Sequence, residues 1–308
     1  MAAIISFIGR SYCGSTVTNL ILAAHPLVFG GGELHRLGNH ARAPSCRICG
    51  AACAFWTPDF IKAMQADFDY GAIAERAGKN VIVDASKPAK WFEEIADKRA
   101  GHELIDLCLT KHPMRHVSSF VDNQYYRDNE LHGAIKAAGG EVTAADVDLE
   151  ELKAYAGKMA ASLLTSYRRA TEAFAPNPAE TRILQYEAVM RDRKAALTPI
   201  LAAAGLTYDP AIDSYEEAEH HGLGGNAGAY FVVKRQKEPK RHDKWLRKNA
   251  EADKISVFRH QYYAGVKNAS IDDKYLGVLP EAVRVHLAAD DSYKALCDLL
   301  GYDEDPAA

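Results

Sequence analysis

A glycine-rich turn near the start of the chain has the residue types of a phosphate-binding loop. Gly9 and Gly14 have the spacing of the glycines in the pattern G-x-x-x-x-G-K-[ST], and Thr16 occupies its last position. A short apolar run precedes the turn and an apolar-periodic stretch follows it, so the sequence predicts a strand, a turn and the start of a helix. Because backbone N–H groups at a helix start bind phosphate oxygens, the turn predicts a ligand that carries phosphate.

The lysine of that pattern is absent, and Ser15 stands in its place. In nucleotide triphosphatases this lysine contacts the terminal phosphates, and the hydroxyl at the last position holds Mg²⁺. The absence of the lysine therefore favours a ligand with less charge at that end. The basic residue of the turn is instead Arg10.

Residues 9–16, GRSYCGST, resemble the first motif of sulfotransferases that use 3′-phosphoadenosine 5′-phosphosulfate (PAPS). In the bacterial small-molecule branch of that family the motif often reads GRSxSGST. The resemblance implies that the loop binds the 5′-phosphosulfate of the donor, and that Arg10 also stabilises the transition state. It implies donor contacts from Arg10, Cys13, Gly14, Ser15 and Thr16.

An apolar run at 81–83 ends in Asp84-Ala85-Ser86-Lys87, which is similar to the D-S-S-K stretch of bacterial sulfotransferases. The resemblance implies that Lys87 stabilises negative charge on the bridging oxygen as the S–O bond breaks. Taken alone, the residues also fit a surface lysine before a helix, because Pro88 is a favoured first helical residue.

Three glycines at 30–32 precede Glu33, which resembles the glutamate of the G-E motif that serves as general base in several sulfotransferases. A general base must reach the acceptor proton and have a suitably tuned pKa. Nearby His35 is a competing base, because the ordinary pKa of histidine is already near neutrality. We expect Glu33 to be the base. Either residue is alternatively a hydrogen-bond partner that stabilises the loop.

The stretch that begins at Lys111 resembles the family's 3′-phosphate motif, an R-[DN]-P-R sequence followed by a helical serine. Lys111 stands where the family has its first arginine, and Ser119 lies at the serine position. Lysine lacks the bidentate fork of arginine but still binds phosphate as a point charge. Arg115, one place beyond the second arginine, is a candidate to compensate. The alternative is a basic helix start on the surface.

A segment at 221–226, HGLGGN, resembles the bacterial H-x-x-G-G-N motif, and Asp243 with Trp245 resembles its later D-x-x-W. The resemblance implies that this loop wraps the 3′-phosphate end of the donor. Its donor-binding residues are expected to be Gly224, Gly225 and Asn226, with charge from the basic residues Lys234, Arg235, Lys237 and Arg241; Arg235 is the one assigned to the donor. A solvated basic face is the alternative.

Cys46, Cys49 and Cys53 lie within eight residues of one another. With His35 or His40 upstream they could form a Cys₃His zinc site. Because zinc sites usually bring a second paired cluster and none is present, a disulfide and a set of reduced thiols stay open as alternatives. No metal ligand is assigned.

The composition and charge of the chain limit the classes of molecule that it is expected to bind. The chain has 308 residues, 48% of them apolar, and a formal net charge of −4, which gives no whole-surface case for nucleic acid. The N-terminal apolar run is too short for a signal peptide, and no stretch approaches the roughly 20 apolar residues of a membrane span. We expect a cytoplasmic protein with a small-molecule acceptor and no nucleic acid or membrane partner. A homodimer stays open.

Strand-like runs alternate with helical patterns, which predicts an α/β fold: a P-loop-like parallel sheet flanked by helices, with a helical insertion. The predicted strands are 4–8, 81–83, 104–109 and 182–185. The strand end at 182–187 resembles the family's R-Y-E-D-L segment, whose role is mostly structural. We expect one sulfotransferase-like domain over 1–308.

The predicted helical insertion, 121–174, is a candidate lid or acceptor wall, and a solvated helical pair is the alternative. Tyrosines in or beside it either line an acceptor pocket or belong to a core. They are Tyr125, Tyr126, Tyr155 and Tyr167.

These patterns together predict sulfuryl transfer from PAPS to a small-molecule hydroxyl, with an amine as the alternative acceptor and with no metal required for catalysis. A P-loop kinase or nucleotide hydrolase is the first rival; there Asp84 would hold the metal and Lys87 would contact phosphate. A zinc-stabilised module that binds a partner through the basic segment 234–248 is the second. The identity of the acceptor is beyond the sequence.

Overall fold

A computed structural model describes residues 2–39, 44–137, 142–173, 182–226, 228–230, 233–234 and 278–304. Within these ranges five strands form one sheet in the order β2-β3-β1-β4-β5, and every neighbouring pair is parallel. The strands are β1 (Ala3–Ile8), β2 (Val28–Gly32), β3 (Val81–Lys87), β4 (Glu103–Thr110) and β5 (Arg182–Gln185). The predicted α/β class is thereby confirmed, and each of the four predicted strands is present.

Helices connect each strand to the next along the chain, as the crossover connections of a parallel sheet require. The α-helices are α1 (Ser15–Ala23), α2 (Pro58–Ala66), α3 (Tyr70–Ala77), α4 (Ala89–Glu94), α5 (Ala96–Arg99), α6 (Pro113–Phe120), α7 (Tyr126–Asp128), α8 (His132–Ala137), α9 (Leu149–Ala173), α10 (Tyr186–Arg191), α11 (Arg193–Ala203), α12 (Glu281–Ala289) and α13 (Asp291–Leu300). A π-helical turn spans Val121–Tyr125, and 3₁₀ helices span Leu34–Gly38 and Pro210–Glu217. Of the helices described, none has both the length and the apolar character needed to cross a membrane.

Contacts divide the chain into two compact units. The first comprises the described residues of 1–110 and 169–237 and contains the whole sheet. The second comprises those of 111–168 and 238–308 and contains α6 to α8 and most of α9, with α12 and α13. That the chain acts as one sulfotransferase-like domain, and that 121–174 forms a lid or acceptor wall, stay predictions.

The first unit is built around the central strand β1. All six of its residues are buried, and the side chains of Ile4, Ile5 and Phe7 are fully enclosed. Such a continuous apolar run is typical of a parallel strand that is covered on both faces. Burial of this strand fixes the position of the turn that follows it at Gly9.

Strand β2 was not among the predicted strands, because three of the five residues in its sequence VFGGG are glycines, which are depleted in strands. Close packing explains the glycines. A Cβ at Gly30 would lie 2.7 Å from the Cβ of Ala23, and one at Gly32 would lie 2.3 Å from the carbonyl oxygen of Leu223. The glycines therefore allow close approach of other parts of the chain, and β2 delivers Glu33 to the end of the sheet.

In the second unit, α6 begins after His112, whose Nδ1 accepts the N–H of Met114 at 3.2 Å. Tyr126 and Tyr167 are fully buried, and the Tyr126 hydroxyl donates to the carbonyl oxygen of Val278. The Tyr125 ring packs on Tyr155 at 5.1 Å. Burial of these rings favours the core interpretation of the tyrosines.

Candidate active site

The turn after β1 has the geometry of a strand–loop–helix anion site. Gly14 precedes α1 with a φ of +96°, and a Cβ there would lie 2.2 Å from the Tyr186 ring. Only glycine fits this position, because the backbone is left-handed and the space is filled. The N–H of Cys13 donates to the carbonyl oxygen of Arg10 at 3.3 Å and closes the turn. The first N–H groups of α1 lack partners within their own helix, so this end can receive an anion.

The loop is joined to two other segments of the first unit. The N–H of Gly9 donates to the carbonyl oxygen of Lys87 at 3.1 Å, which links the loop to the end of β3. The Thr16 hydroxyl accepts the N–H of Asn226 at 2.9 Å. Ser15 and Thr16 are both buried in the first turn of α1. The predicted phosphate loop, the predicted lysine and the Asn226 segment thus meet at one edge of the sheet.

Glu33 and Lys87 form an ion pair at that edge. Lys87 Nζ donates to Glu33 Oε1 at 2.7 Å. The side chain of Glu33 is only 12% exposed, and that of Lys87 only 9%. Lys87 also donates to the carbonyl oxygen of Ala85 at 3.1 Å. Arg36, which sequence reasoning missed, donates from Nε to the other carboxylate oxygen of Glu33 at 2.7 Å. The Glu-x-x-Arg spacing was the available signal for this contact.

The backbone of Lys87 is held in an uncommon conformation, with a φ of +76°. Residues other than glycine rarely adopt this region, and such conformations concentrate at functional sites. The turn directs the Lys87 side chain back to Glu33. Lys87 is therefore a buried partner of Glu33, and the alternative of a surface lysine is wrong.

Burial alone would raise the pKa of the Glu33 carboxyl. The charge of Lys87 and hydrogen bonds from Lys87, the Gly225 backbone and Arg36 outweigh this effect and lower that pKa from 4.5 to about 2. Glu33 is therefore ionised at neutral pH. A carboxylate held in this way is a weak base for as long as Lys87 stays beside it.

His35 lies beside this ion pair. Burial lowers its pKa below 6.5, so the imidazole is neutral at pH 7. Its backbone N–H donates to the Ser86 hydroxyl at 2.9 Å, and Ser86 in turn donates to Asp84. The Nδ1 atom of His35 is buried and has no hydrogen-bond partner within the described residues. Two candidate bases, Glu33 and His35, thus lie at the same edge of the sheet.

Asp84 is fully buried, and both of its carboxylate oxygens accept hydrogen bonds. Oδ2 accepts from the Tyr70 hydroxyl at 2.6 Å and from Trp91 Nε1 at 3.0 Å, while Oδ1 accepts from the N–H of Ser86 at 2.9 Å. This arrangement fits a structural residue that fixes the end of β3. It leaves Asp84 poorly suited to the metal-holding role that a kinase mechanism would require.

A pocket of about 440 Å³ opens beside His35. One side is lined by the 3₁₀ helix Leu34–Gly38 and the residue that follows it. The other side is lined by α4 and by Pro88, which directly follows Lys87. The pocket lining includes His35, Gly38, Asn39, Pro88, Lys90 and Trp91. The pocket therefore adjoins the segments that carry the ion pair, and sequence reasoning did not identify it.

The predicted loop at 221–226 packs against Glu33. Leu223 donates its N–H to Gly31 at 2.9 Å and accepts the N–H of Glu33 at 2.7 Å. A Cβ at Gly224 would lie 2.4 Å from Glu33 Oε2, and one at Gly225 would lie 2.9 Å from Thr16 Oγ1. The glycines of this loop therefore lie beside the ion pair and α1. Their role toward the 3′-phosphate end stays a prediction.

Lys111 and Ser119 belong to the second unit. Lys111 Nζ donates to the Ser119 hydroxyl at 2.9 Å, and that hydroxyl donates to the carbonyl oxygen of Arg115 at 3.0 Å. Arg115 is itself buried. The two residues of the predicted 3′-phosphate motif are thus in direct contact, and their role toward a ligand stays a prediction.

Several residues of the predicted sites lie outside the described ranges. They are Arg235, Lys237, Arg241, Asp243, Trp245 and His40. Lys234 is described and exposed.

The three clustered cysteines approach one another and a histidine. The Sγ atoms of Cys46, Cys49 and Cys53 and a ring nitrogen of His221 all lie within 4.8 Å of one another. All six cysteines are described, and none forms a disulfide. Of the two histidines considered for this cluster, His35 lies at the ion pair and His40 lies outside the described residues. The histidine beside the cysteines is His221, which no local spacing indicated.

The solved structures that are similar to the chain include two sulfotransferase domains. A sulfotransferase domain from the curacin biosynthetic pathway matches with a TM-score of 0.56 and 16% identity over 98% of this chain and 99% of that chain. The sulfotransferase domain of the Synechococcus PCC 7002 olefin synthase matches with a TM-score of 0.52 and 16% identity over 98% and 96%. No protein-family model and no curated protein matches the sequence. The chain has the fold of these domains, as the resemblance implied.

Proposed function

We propose that this protein transfers a sulfuryl group from PAPS to a small-molecule hydroxyl, with an amine as the alternative acceptor. The observation that carries the proposal is the buried ion pair of Lys87 and Glu33, 2.7 Å apart beside a phosphate-type loop that lacks the P-loop lysine. A cation for the leaving group and a carboxylate for the acceptor proton are the two groups that such a transfer needs. The fold shared with sulfotransferase domains supports the same chemistry.

The loop between β1 and α1 fits the 5′ end of the donor. The donor supplies the sulfuryl group and leaves as adenosine 3′,5′-bisphosphate. Backbone N–H groups at the start of α1, the hydroxyls of Ser15 and Thr16, and Arg10 are the groups assigned to its phosphosulfate. A sulfuryl group carries less charge than a phosphoryl group, so these groups and Lys87 suffice without Mg²⁺.

In the proposed step Lys87 changes partner. It leaves Glu33 and donates to the bridging oxygen, where negative charge develops as the S–O bond breaks. The Glu33 carboxylate then keeps its burial but loses the main interaction that lowers its pKa, so it becomes a stronger base. Glu33 accepts the proton of the acceptor hydroxyl while that oxygen bonds to sulfur. The electron pair of the broken bond stays on the bridging oxygen.

The pocket beside His35 is assigned to the acceptor. Trp91 and Pro88 offer apolar surface there, and Lys90, Asn39 and His35 offer polar groups. A small molecule with an apolar body and a hydroxyl fits this lining. His35 is the alternative base, because its imidazole is neutral and its Nδ1 has no partner within the described residues.

Lys111 and Ser119 are assigned to the 3′-phosphate. Their direct contact in the second unit supports this assignment, since one phosphate oxygen can accept from both groups. Gly224, Gly225, Asn226 and Arg235 complete the proposed donor site. A cytoplasmic location is proposed as well, because the six cysteines do not have the sequence pattern of a secreted disulfide framework.

Transfer of label tests the proposal. The purified protein is incubated with ³⁵S-labelled PAPS and pools of small hydroxyl and amine compounds, without Mg²⁺. The proposal predicts acceptor-dependent transfer of label that is lost in Lys87→Ala. Mg²⁺-dependent turnover of ATP, with no labelled product from any pool, would assign the protein to the kinase or hydrolase class instead.

A further inference from the structure

The cluster of Cys46, Cys49, Cys53 and His221 has the dimensions of a tetrahedral metal site. With Zn–S bonds of about 2.3 Å and Zn–N bonds of about 2.0–2.1 Å, a sulfur and a nitrogen ligand lie about 3.6 Å apart and two sulfurs about 3.8 Å apart. The Sγ atoms of Cys49 and Cys53 lie 3.6 and 3.4 Å from His221 Nδ1. All four ligand atoms lie within 4.8 Å of one another. Small side-chain rotations are enough to place them around one ion.

The surroundings orient the ligands. His221 Nε2 lies 3.0 Å from a carboxylate oxygen of Glu219, which fixes a proton on Nε2 and leaves the lone pair of Nδ1 facing the cysteines. Zinc-binding histidines typically have such a carboxylate partner. Backbone N–H groups also donate to the sulfurs, from Cys49 to Cys46 Sγ at 3.4 Å and from Trp56 to Cys53 Sγ at 3.2 Å. These donors stabilise the negative charge of thiolates.

The first two cysteines occupy a tight turn of the form C-x-x-C-G. The N–H of Gly50 donates to the carbonyl oxygen of Cys46 at 3.1 Å, and Gly50 has a φ of +65°. This turn brings two sulfurs that are three residues apart to the same side. The short C-x-x-C spacing is common among structural zinc sites.

We propose that Cys46, Cys49, Cys53 and His221 bind one structural Zn²⁺ ion as a Cys₃His site. The three thiols lose their protons to solvent as the ion binds, and no oxidant is needed. Four protein ligands close the coordination sphere, so the ion has a structural role and takes no part in sulfuryl transfer.

The zinc site fixes the loop that supports Glu33. Leu223 lies two residues after His221 and is hydrogen-bonded to Gly31 and Glu33, and Cys46 forms a β-bridge with Leu223. Binding of one ion by His221 and Cys46 therefore ties both segments to the end of β2. The metal stabilises the first unit and the position of the general base without touching substrate.

Metal analysis of the purified full chain tests the proposal independently of any donor or acceptor. Wild type, purified without chelators after growth with added zinc, is expected to hold about one equivalent of zinc, and Cys49→Ser and His221→Ala less than about a tenth. Cys297→Ala is the matched control, because Cys297 is a buried cysteine in the second unit, and it should keep the full equivalent. Glu219→Gln should weaken zinc affinity about 10-fold or more.

Cobalt substitution of the wild-type chain keeps the proposal testable should the variants not fold. After removal of zinc with a chelator, Co²⁺ should give the thiolate-to-cobalt charge-transfer absorption of a tetrahedral sulfur-rich site, and added Zn²⁺ should abolish it. Wild type without zinc, a cobalt spectrum without thiolate absorption, or a mass lower by two hydrogen atoms that shows a disulfide within the cluster would each overturn the proposal.

Discussion

Lys87 Nζ lies 2.7 Å from Glu33 Oε1, although 54 positions separate the two residues in the sequence. The pair follows from the topology, because β2 and β3 are parallel neighbours, with Gly32 opposite Asp84, and both end at the same edge of the sheet. The charge of Lys87 helps to hold the Glu33 carboxyl in its ionised form. Binding of an anion at the adjacent loop would offer Lys87 a second partner, and this competition gives the site its proposed mechanism.

Replacement of Lys87 tests its proposed role at the leaving group. Lys87→Ala should lower kcat about 100-fold or more, because a cation at the developing charge is lost, while binding of adenosine 3′,5′-bisphosphate stays within a few-fold of wild type. Lys98→Ala is the control, since Lys98 pairs with Asp67 on the surface. Steady-state kinetics and calorimetry provide the two readouts. Wild-type turnover in Lys87→Ala would refute the mechanism.

The two candidate bases can be separated by matched substitutions. Glu33→Gln keeps the size of the side chain but cannot accept the proton, so kcat should fall about 10²- to 10⁴-fold. His35→Gln should change kcat much less. The pH dependence of kcat for both variants, measured with a fixed acceptor, identifies the base. The opposite order of effects would assign the role to His35.

The ion pair should stabilise the protein in a pH-dependent way. Because the pKa of Glu33 is lowered from 4.5 to about 2 in the folded state, the stabilisation is present above about pH 5 and is lost as the pH falls toward 2. The free energy of unfolding of wild type should exceed that of Glu33→Gln at neutral pH by about 3 kcal/mol at most. Urea titrations between pH 7 and pH 3 should show this gap closing with acid; a constant gap would contradict the assigned pKa.

Close packing at Gly32 can be tested against another glycine of the same backbone conformation. Gly32 and Gly205 have φ values of +72° and +69°, but only Gly32 has a neighbour, Leu223, within 4 Å of an added Cβ. Both alanine variants should lose about 1 kcal/mol to the left-handed backbone, and Gly32→Ala about 1–3 kcal/mol more from the collision. Denaturant unfolding measures the difference. Equal losses would mean that the Leu223 contact does not constrain β2.

The 3′-phosphate assignment makes a prediction about nucleotide selectivity. The double variant Lys111→Ala, Ser119→Ala should weaken binding of adenosine 3′,5′-bisphosphate about 10-fold or more, because two donors to one phosphate are removed. Binding of AMP, which lacks the 3′-phosphate, should change little. Calorimetry with both nucleotides measures the two affinities. Equal losses for both would remove the assignment.

The sequence predicted those parts of the molecule that depend on local patterns. Strands β1, β3 and β4 were recognised from continuous apolar runs, and the loop at Gly9 to Thr16 from the spacing of its glycines. Strand β2 was missed because its glycines serve contacts with α1 and Leu223 that are distant in the chain. Propensity carries no information about such contacts.

The candidate site shows the same difference between local patterns, which the sequence reveals, and contacts between distant residues, which it does not. Glu33 and Lys87 were each identified from their own motif, but their contact depends on strand order, which no local pattern specifies. His221 is 168 residues from Cys53, so the cysteine spacing could not indicate it. The sequence therefore supplied the chemical groups, and the fold supplied their pairing.

The decisive experiment on the proposed donor site is a calorimetric titration with adenosine 3′,5′-bisphosphate, in parallel with AMP and ATP and without Mg²⁺. If the chain uses PAPS, the bisphosphate should bind at micromolar concentration or below, at one site per chain, and AMP and ATP should bind much more weakly. A preference for ATP that requires Mg²⁺ would contradict the use of PAPS, because a site built for PAPS holds a 3′-phosphate and needs no metal at its 5′ end.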